Sequence, residues 1–327
     1  MRLSVLCILV AAIAAAFPAF AADDPIQGNW KGRFEGGGWE NRSLTAQIIA
    51  TSKVSYRVNL FVADLKLSLE GQRADEHAAT ADFSGQAVVD AVTYTVTATA
   101  ENEALSGAFA ADGASIPFKM NKISITPPAL GATPPEGAVV LFDGTNAEAN
   151  WERSPMLWCL TGDGAMEICA SNLVTKQAHG SGQLHVEFLC PLMAEATDQG
   201  RANSGVYVQG RYEVQVLDSF GDDPADNRCG GIYKIAVPQM SASLPPEEWQ
   251  TYDITFTAPK FDEAGAKVQN ARITVIHNGN VIHDDIELPV CTAGGVSDQE
   301  AAEGVLMLQD HGNRVRYRNI WFLPAEG

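Results

Sequence analysis

Short runs of alternating apolar and polar residues, separated by glycine, proline and polar turn residues, make up almost all of this 327-residue chain. Because side chains alternate between the two faces of a β-strand, such runs predict strands that bury one face. Hardly any segment shows the 3.6-residue period of an amphipathic helix. The sequence therefore predicts an all-β protein, and its length is sufficient for two domains.

Two of these runs, 205–209 and 212–217, meet at Gly210-Arg211 and predict a tight antiparallel hairpin. The face predicted to be buried carries four valines, Val206, Val208, Val214 and Val216. The opposite face carries Asn203, Tyr207, Gln209, Glu213 and Gln215. Together these side chains offer both hydrogen-bond donors and acceptors, which suit sugar hydroxyls. A sugar-binding face and an ordinary solvated face are both consistent with this pattern.

The first 21 residues have the order of a secretory signal peptide. Arg2 precedes an apolar run from Leu3 to Ala16, and Ala19-Phe20-Ala21 is typical of a cleavage site. The apolar run is too short to span a bilayer. We therefore predict an exported protein, periplasmic or extracellular, without a membrane span.

The chain is acidic, with a formal net charge of −18. Loss of the signal peptide would remove Arg2 and no acid, which changes this charge to −19. Binding to phosphate groups requires basic patches, so the composition disfavours nucleic acid and anionic membranes as partners.

Five cysteines follow the predicted signal peptide: Cys159, Cys169, Cys190, Cys229 and Cys291. They contain no C-x-x-C pair and no zinc-finger spacing. An exported location permits one or two disulfides, with Cys159–Cys169 and Cys190–Cys229 as the favoured pairs. The sequence does not decide between these pairings, and the odd number leaves at least one thiol free.

A proline-rich segment divides the chain. Residues 22–126 contain regularly spaced short strands and predict a small antiparallel β-barrel or sandwich. Residues 127–137 have the composition of a semi-stiff, solvated linker. Residues 138–327 contain longer and more aromatic strands, which predict a double-sheet jelly roll.

An ordered set of motifs in the second part resembles the 3-keto-disaccharide hydrolase domain family, also described as 3-keto-glucoside lyase/hydratase. In chain order the motifs are Leu141-Phe142-Asp143-Gly144, Glu187-Phe188, Asn203-Ser204-Gly205-Val206-Tyr207, Tyr212-Glu213-Val214-Gln215-Val216-Leu217-Asp218, Gly230-Gly231-Ile232-Tyr233, Glu248-Trp249-Gln250-Thr251-Tyr252, Asn278-Gly279, Leu308-Gln309-Asp310-His311-Gly312 and Arg318-Asn319-Ile320. The resemblance covers about residues 138–325. It implies a concanavalin-like β-sandwich whose concave face holds a carbohydrate, and cleavage of glycosides already oxidised at C3.

The implied chemistry needs a base, a proton donor and stabilisation of an enolate. A ketone at C3 acidifies the C2 hydrogen, so a base can remove it while the substituent on C1 leaves, and water then adds to the enone. We predict Glu213 and His311 as base and acid, in unresolved order, with Asp218 orienting a partner or a hydroxyl. Sugar hydroxyls are assigned to Asn203, Tyr207, Gln215 and Gln309, and the ketone or enolate oxygen to Lys234.

A divalent metal ion is the one cofactor that this reading allows, with Glu187, Glu213 and His311 as its predicted ligands. No nucleotide cofactor is expected. Glu187 could instead form a surface ion pair with Lys234 or Arg211, and His311 could be a turn histidine capped by Asp310.

The expected substrate is an oxidised sugar or glycoside, and a separate 3-dehydrogenase is the predicted partner that supplies it. The chain departs from the family pattern in two loops, 190–202 and 222–228, which are longer than usual. The alternative function is that of a non-catalytic, lectin-like envelope protein, because the same fold serves both roles.

Overall fold

A computed structural model describes residues 24–145, 147–152 and 158–326, and the predicted signal peptide, residues 1–21, lies outside them. The described part is almost entirely β, which confirms the predicted all-β class. Its helical elements are one turn of α-helix, α1 (Ala147–Asn150), and one 3-10 turn, η1 (Asp198–Gly200). No helix among the described residues is long and apolar enough to cross a membrane.

The first eight strands form a closed antiparallel barrel in which each strand pairs with the next and the last pairs with the first. This closure decides between the barrel and the sandwich predicted for this region. The strands are β1 (Gly28–Phe34), β2 (Leu44–Ala50), β3 (Ser55–Val62), β4 (Leu65–Gln72), β5 (Thr80–Val89), β6 (Val92–Glu101), β7 (Ala104–Ala111) and β8 (Ala114–Ile123).

Aromatic side chains fill part of the barrel interior. Phe34 meets Trp39, Phe109 and Phe118 edge-on, with ring centroids 5.1, 5.7 and 6.2 Å apart. Such pairs add about 0.5–1.5 kcal/mol each beyond the burial of their area. Trp30 is fully buried and donates its indole N–H to the Ile26 carbonyl at 3.0 Å. These contacts make this part of the barrel a packed core.

The remaining strands form two larger sheets and one short hairpin. They are β9 (Val139–Phe142), β10 (Trp151–Glu152), β11 (Cys159–Leu160), β12 (Met166–Glu167), β13 (Leu173–His179), β14 (Gly182–Leu189), β15 (Ser204–Val208), β16 (Tyr212–Val216), β17 (Gln250–Thr257), β18 (Lys260–Phe261), β19 (Lys267–Gln269), β20 (Ala271–His277), β21 (Asn280–Leu288), β22 (Gly304–Leu308) and β23 (Arg316–Pro324). The five-stranded sheet has the order β10-β13-β22-β15-β16. The eight-stranded sheet has the order β11-β12-β23-β14-β17-β20-β21, with β9 also paired to β23.

The two larger sheets share one hydrophobic core. The five-stranded sheet contributes the four valines of the 204–216 hairpin, Val206, Val208, Val214 and Val216. The eight-stranded sheet contributes alternate residues of β14 and β17, Leu184, Val186, Phe188, Tyr252, Ile254 and Phe256. The alternation predicted for the hairpin is therefore present, and each sheet turns its other face outward.

The segment predicted as a solvated linker is mostly exposed, and two of its residues hydrogen-bond to the outer face of the eight-stranded sheet. The Gly131 N–H donates to Glu187 Oε1 at 2.6 Å, and Asn319 Nδ2 donates to the Ala132 carbonyl at 3.0 Å. Pro128 packs so closely on the β20–β21 turn that Gly279 has no room for a Cβ atom. These hydrogen bonds replace water at the backbone of the segment, so the sheet holds it in place.

The barrel contacts both loops that the sequence analysis singles out, 190–202 and 222–228, at or next to those residues. Arg57 forms an ion pair with Asp222 at 2.8 Å, and Asn59 Nδ2 donates to the Gly221 carbonyl at 2.6 Å. On the other loop, Leu192 and Ala194 pack against the barrel core. A cavity of about 540 Å³ lies between this loop and the barrel, and the hairpin residues 204–216 do not line it. The two loops thus dock the barrel.

One disulfide joins Cys159 to Cys169, which decides the pairing that the sequence left open. Cys190, Cys229 and Cys291 are free thiols. Cys190 and Cys229 lie in the shared core, where burial raises the pKa of both thiols.

Candidate functional site

Two rows of side chains cross the outer face of the five-stranded sheet on strands β16, β15 and β22. The ladder pairs Glu213 with Tyr207 and Tyr207 with Met307. In the next row it pairs Gln215 with Gly205, whose carbonyl accepts a hydrogen bond from the Gln309 N–H at 2.9 Å. The structure thus brings together four of the predicted site residues, Tyr207, Glu213, Gln215 and Gln309.

Gly205 makes room for the Glu213 carboxylate. A Cβ atom on Gly205 would overlap Glu213 Oε1 and would lie 2.9 Å from Tyr207 Cε2. The carboxylate therefore lies over the backbone of the neighbouring strand instead of extending into solvent.

The Glu213 carboxyl is buried, with 7% of the residue exposed. Burial penalises the charged form and raises the pKa of Glu213 to about 7, although a hydrogen bond from Tyr207 acts in the opposite direction. With its amide nitrogen turned towards Glu213, Gln215 donates to Glu213 Oε1 at 3.0 Å and to the Ser204 carbonyl at 2.9 Å. Near neutral pH this carboxyl can therefore both accept and return a proton.

The Tyr207 hydroxyl has one proton to donate and two acceptor groups near it. It lies 2.9 Å from the Ala293 carbonyl and also within hydrogen-bonding reach of Glu213. Gln309 Nε2 donates to the same hydroxyl at 3.2 Å. Burial and the Glu213 charge raise the pKa of Tyr207. Tyr207 thus serves as a neutral donor whose single proton reaches Glu213 or Ala293, one at a time.

The loop 289–303, between β21 and β22, supplies a residue that the sequence analysis missed. Thr292 Oγ1 accepts from the Glu213 backbone N–H at 2.8 Å and donates to the Arg211 carbonyl at 2.9 Å. The same loop donates the Val296 N–H to the Gly210 carbonyl. The one sequence signal here is the Gly294-Gly295 pair, which indicates a turn but not a contact with a distant hairpin.

Gln199 was also missed. Its Oε1 accepts from Asn203 Nδ2 at 3.2 Å. Gln199 Nε2 donates to the Asn227 carbonyl at 2.7 Å. The residue therefore links the predicted site to both loops that dock the barrel.

Asn203 and His311 lie towards the barrel end of this face. Asn203 is buried, and its side chain donates to the Gln199 carbonyl at 2.8 Å. His311 is exposed in the turn after β22, where Asp310 accepts from the Gly312 N–H at 2.7 Å. The register places His311 four residues beyond Met307 and two strands across from Glu213. Ordinary strand spacing then separates the Glu213 and His311 backbones by roughly 15 Å.

Asp218 and Lys234 are not in contact with Glu213 through any described hydrogen bond. Asp218 is buried and accepts from Arg201 Nε at 2.7 Å, and Arg201 Nη1 donates to the barrel carbonyl of Ala50 at 3.2 Å. Burial raises the pKa of Asp218, while Arg201 acts to lower it. Lys234 is exposed, with its ammonium 5.0 Å from the Tyr233 ring centroid.

Glu187 lies on the other sheet. It is fully buried on the outer face of β14, where Arg318 Nε donates to it at 2.7 Å and Asn319 Nδ2 at 2.8 Å. Burial alone would raise the pKa of Glu187, but hydrogen bonds from His185, Asn319 and Arg318 lower it to about 2. The predicted trio Glu187, Glu213 and His311 is therefore not brought together. Within the described ranges, no group of three metal-ligating side chains converges.

Comparison with known proteins identifies a family for the second part of the chain. The pattern of the 3-keto-alpha-glucoside-1,2-lyase-like domain matches residues 137–323. A solved structure of a candidate glycosyl hydrolase from Parabacteroides distasonis is 34% identical over 58% of this chain and 85% of its own, with a TM-score of 0.53. A second candidate glycosyl hydrolase from that organism is 18% identical over 58% of this chain and 95% of its own, with a TM-score of 0.43. The comparison with curated proteins gives no match. Because the family pattern covers more than half of the chain, this protein belongs to the 3-keto-alpha-glucoside-1,2-lyase-like domain family.

Proposed function

We propose that this protein is an exported enzyme that cleaves glycosides oxidised at C3, with Glu213 as the general base. The family and the 34% identical candidate glycosyl hydrolase support an action on carbohydrates. The observation that carries the finer proposal is the buried Glu213 carboxyl, whose pKa of about 7 suits proton transfer at neutral pH.

The proposed reaction begins with transfer of the C2 hydrogen, as a proton, to the Glu213 carboxylate. The C–H electron pair forms the C1–C2 double bond as the C1–O bond breaks, and the leaving oxygen takes a proton. Water then adds across the double bond: its oxygen attaches to C1 and its hydrogen to C2. The sum is hydrolysis, without the two carboxylates at fixed separation that ordinary glycosidases use.

Glu213 is favoured as the base because it is buried on the row that contains Tyr207, whereas His311 is exposed at the rim. His311 is retained as the proposed proton donor to the leaving group. Gln215 and Gln309 present amides on the same face and are proposed to bind sugar hydroxyls. The concanavalin-like jelly roll that the resemblance implies would make this face the concave one.

We also propose that the protein is exported and that a partner enzyme supplies its substrate. A disulfide between Cys159 and Cys169 is typical of proteins that fold in an oxidising compartment, in agreement with the signal peptide predicted at residues 1–21. A ketone at C3 must be made before this reaction can occur, so a separate dehydrogenase acting on the glycoside is the proposed supplier.

The test is release of the leaving group from a chemically prepared 3-keto-glucoside, with its unoxidised parent as the comparison substrate. We expect release from the keto form alone, and a loss of at least about 10³-fold in kcat for Glu213→Gln, which is nearly isosteric. Glu263→Gln, at an exposed turn, is the matched control and should behave as wild type. Sugar binding without release from either form would support the lectin-like alternative.

A further inference from the structure

Tyr233 presents an aromatic ring to solvent in a turn that follows the segment paired with β16, the edge strand of the five-stranded sheet. It is 39% exposed, and in the described part of the chain it is the one aromatic residue among the exposed large hydrophobic side chains. Neither the predicted site nor the proposed function uses it.

The backbone next to Tyr233 extends the five-stranded sheet beyond its edge strand β16. The Gln215 N–H donates to the Gly231 carbonyl at 3.0 Å, and the Gly230 N–H donates to the Gln215 carbonyl at 2.9 Å. Two glycines thus oppose one residue, and Gly230 has a φ of +80°. This is the geometry of a β-bulge that begins with a left-handed glycine, which places the segment firmly next to Gln215.

Tyr233 follows directly after a core residue. Ile232 is fully buried in the core that the two sheets share. Tyr233 and Lys234 are the two central residues of the turn that comes next, and Lys234 has a φ of +59°. Tyr233 is two residues from Gly231, so their Cα atoms are about 7 Å apart at most.

The turn that carries Tyr233 is held from both sides. The Lys234 N–H donates to Asp226 Oδ2 at 3.0 Å, and the Ile235 N–H donates to the Ile232 carbonyl at 2.8 Å. A Cβ atom on Gly231 would clash with the Asp226 backbone, so the loop 222–228 packs directly on this segment. A backbone that is ordered in advance lowers the entropy cost when its side chains bind a ligand.

We propose that Tyr233 and Lys234 form a subsite for a second, neutral sugar ring, the one that departs when the C1–O bond breaks. This inference rests on the proposed function. An aromatic ring can cover the apolar C–H face of a sugar, while the ammonium 5.0 Å from the ring centroid donates to its hydroxyls. The net charge of −18 disfavours an anionic group in this position. Tyr233 is thereby assigned as a residue that determines specificity for the leaving sugar.

The experiment compares a 3-keto-disaccharide with methyl 3-keto-glucoside, which lacks the second ring. Tyr233→Ala should raise KM for the disaccharide about tenfold and change kcat less than about twofold, which corresponds to a loss of about 1.4 kcal/mol in binding. The rise in KM for the methyl glycoside should be at least several-fold smaller. Tyr233→Phe keeps the ring and should stay close to wild type. Val268→Ala, at a side chain 64% exposed in a different hairpin, is the control.

Binding of the unoxidised disaccharide, measured by titration calorimetry, gives a readout that does not depend on turnover. Weaker binding by Tyr233→Ala, without turnover of any keto substrate by wild type, would support the subsite and refute the proposed reaction. Turnover with equal KM changes for both substrates, or unchanged disaccharide binding, would overturn the subsite and leave the reaction standing. Absence of both binding and turnover in wild type would overturn both.

Discussion

Glu213 and Tyr207 lie directly opposite each other on β16 and β15, and the Tyr207 side chain acts on the pKa of the Glu213 carboxyl. The pair lies on the outer face of the five-stranded sheet, while Val206 and Val214 turn into the core. Burial raises the pKa of Glu213, and the tyrosine limits that rise. Burial thus sets the direction of the pKa shift at the proposed base, and its cross-strand partner reduces the size of that shift.

The pH dependence of turnover should follow the ionisation of Glu213 and its modulation by Tyr207. Because Glu213 must be ionised to act as the base and its pKa is about 7, kcat/KM should fall tenfold per pH unit below pH 7 and level off above it. The Tyr207 hydrogen bond favours the ionised form, so Tyr207→Phe should move this limb to higher pH. Initial rates at low substrate concentration between pH 5 and 9 measure the shift. A limb that stays in place, or moves to lower pH, would contradict the assignment.

Gly205→Ala should disturb the site without altering any group that reacts. The new methyl group would overlap Glu213 Oε1, so the carboxylate must move, at a typical cost of about 1–3 kcal/mol in stability. We expect kcat/KM on the keto substrate to fall at least about tenfold, since small displacements of a catalytic group reduce rate strongly. Gly36→Ala, where no atom lies within 4 Å of the added Cβ, is the matched control. Equal behaviour of the two variants would show that Gly205 does not position Glu213.

The Glu187 network should make stability depend on pH in a defined window. The folded-state pKa of Glu187 is lowered from 4.5 to about 2, so its contribution is complete above pH 4.5 and is lost as the pH falls towards 2. Burial acts to lower the pKa of His185, but Asp253 and Glu187 raise it above 6.5. The His185 contribution is therefore complete below pH 6.5 and is lost as the pH rises through its folded-state pKa.

Glu187→Gln should therefore lower the free energy of unfolding most between pH 4.5 and 6.5, by roughly 3 kcal/mol. Urea unfolding across this range checks it, with the exposed Glu70→Gln as control. An equal loss at pH 5.5 and pH 9 would contradict the network. The same variant also tests Glu187 as a predicted metal ligand. Because Glu187 lies on the other sheet from Glu213, we expect elemental analysis to give the same metal content for Glu187→Gln as for wild type.

The Arg201–Asp218 pair should couple the barrel to the hairpin. Arg201→Leu leaves the buried Asp218 charge without its partner and removes a hydrogen bond to Ala50, so we expect a loss of about 3–5 kcal/mol. Changing Asp218→Asn in addition should recover part of this loss, because the buried charge is removed. Arg57→Ala breaks a more exposed ion pair with Asp222 and should cost less, about 0–1 kcal/mol. Denaturation with urea and limited proteolysis of the barrel measure these effects, and additive losses would refute the coupling.

Local patterns predicted much of the β structure correctly. The run Asn278-Gly279-Asn280 indicates a hairpin turn, and in the structure Asn278 and Gly279 have positive φ between β20 and β21, which already begins at Asn280. The valines at 206, 208, 214 and 216 mark the buried face of their hairpin, as period-2 alternation requires. The turn of that hairpin is one residue earlier than predicted, because Gln209 and Gly210 are the residues with positive φ. Neighbouring residues within one strand or turn contain all the information that these predictions need.

Contacts between distant segments decided the rest. The sequence by itself determined the all-β class, the period of the strands, the family motifs and the polar face that carries Glu213 and Tyr207. Only the tertiary structure decided that Thr292 binds the Glu213 backbone, that Glu187 lies under residues 131–132 and that Cys159 pairs with Cys169. The pKa of about 7 at Glu213 likewise arises from burial by other strands and a loop. The physical reason is that strand periodicity is a local property, whereas burial and charge pairing depend on which remote segments the fold brings together.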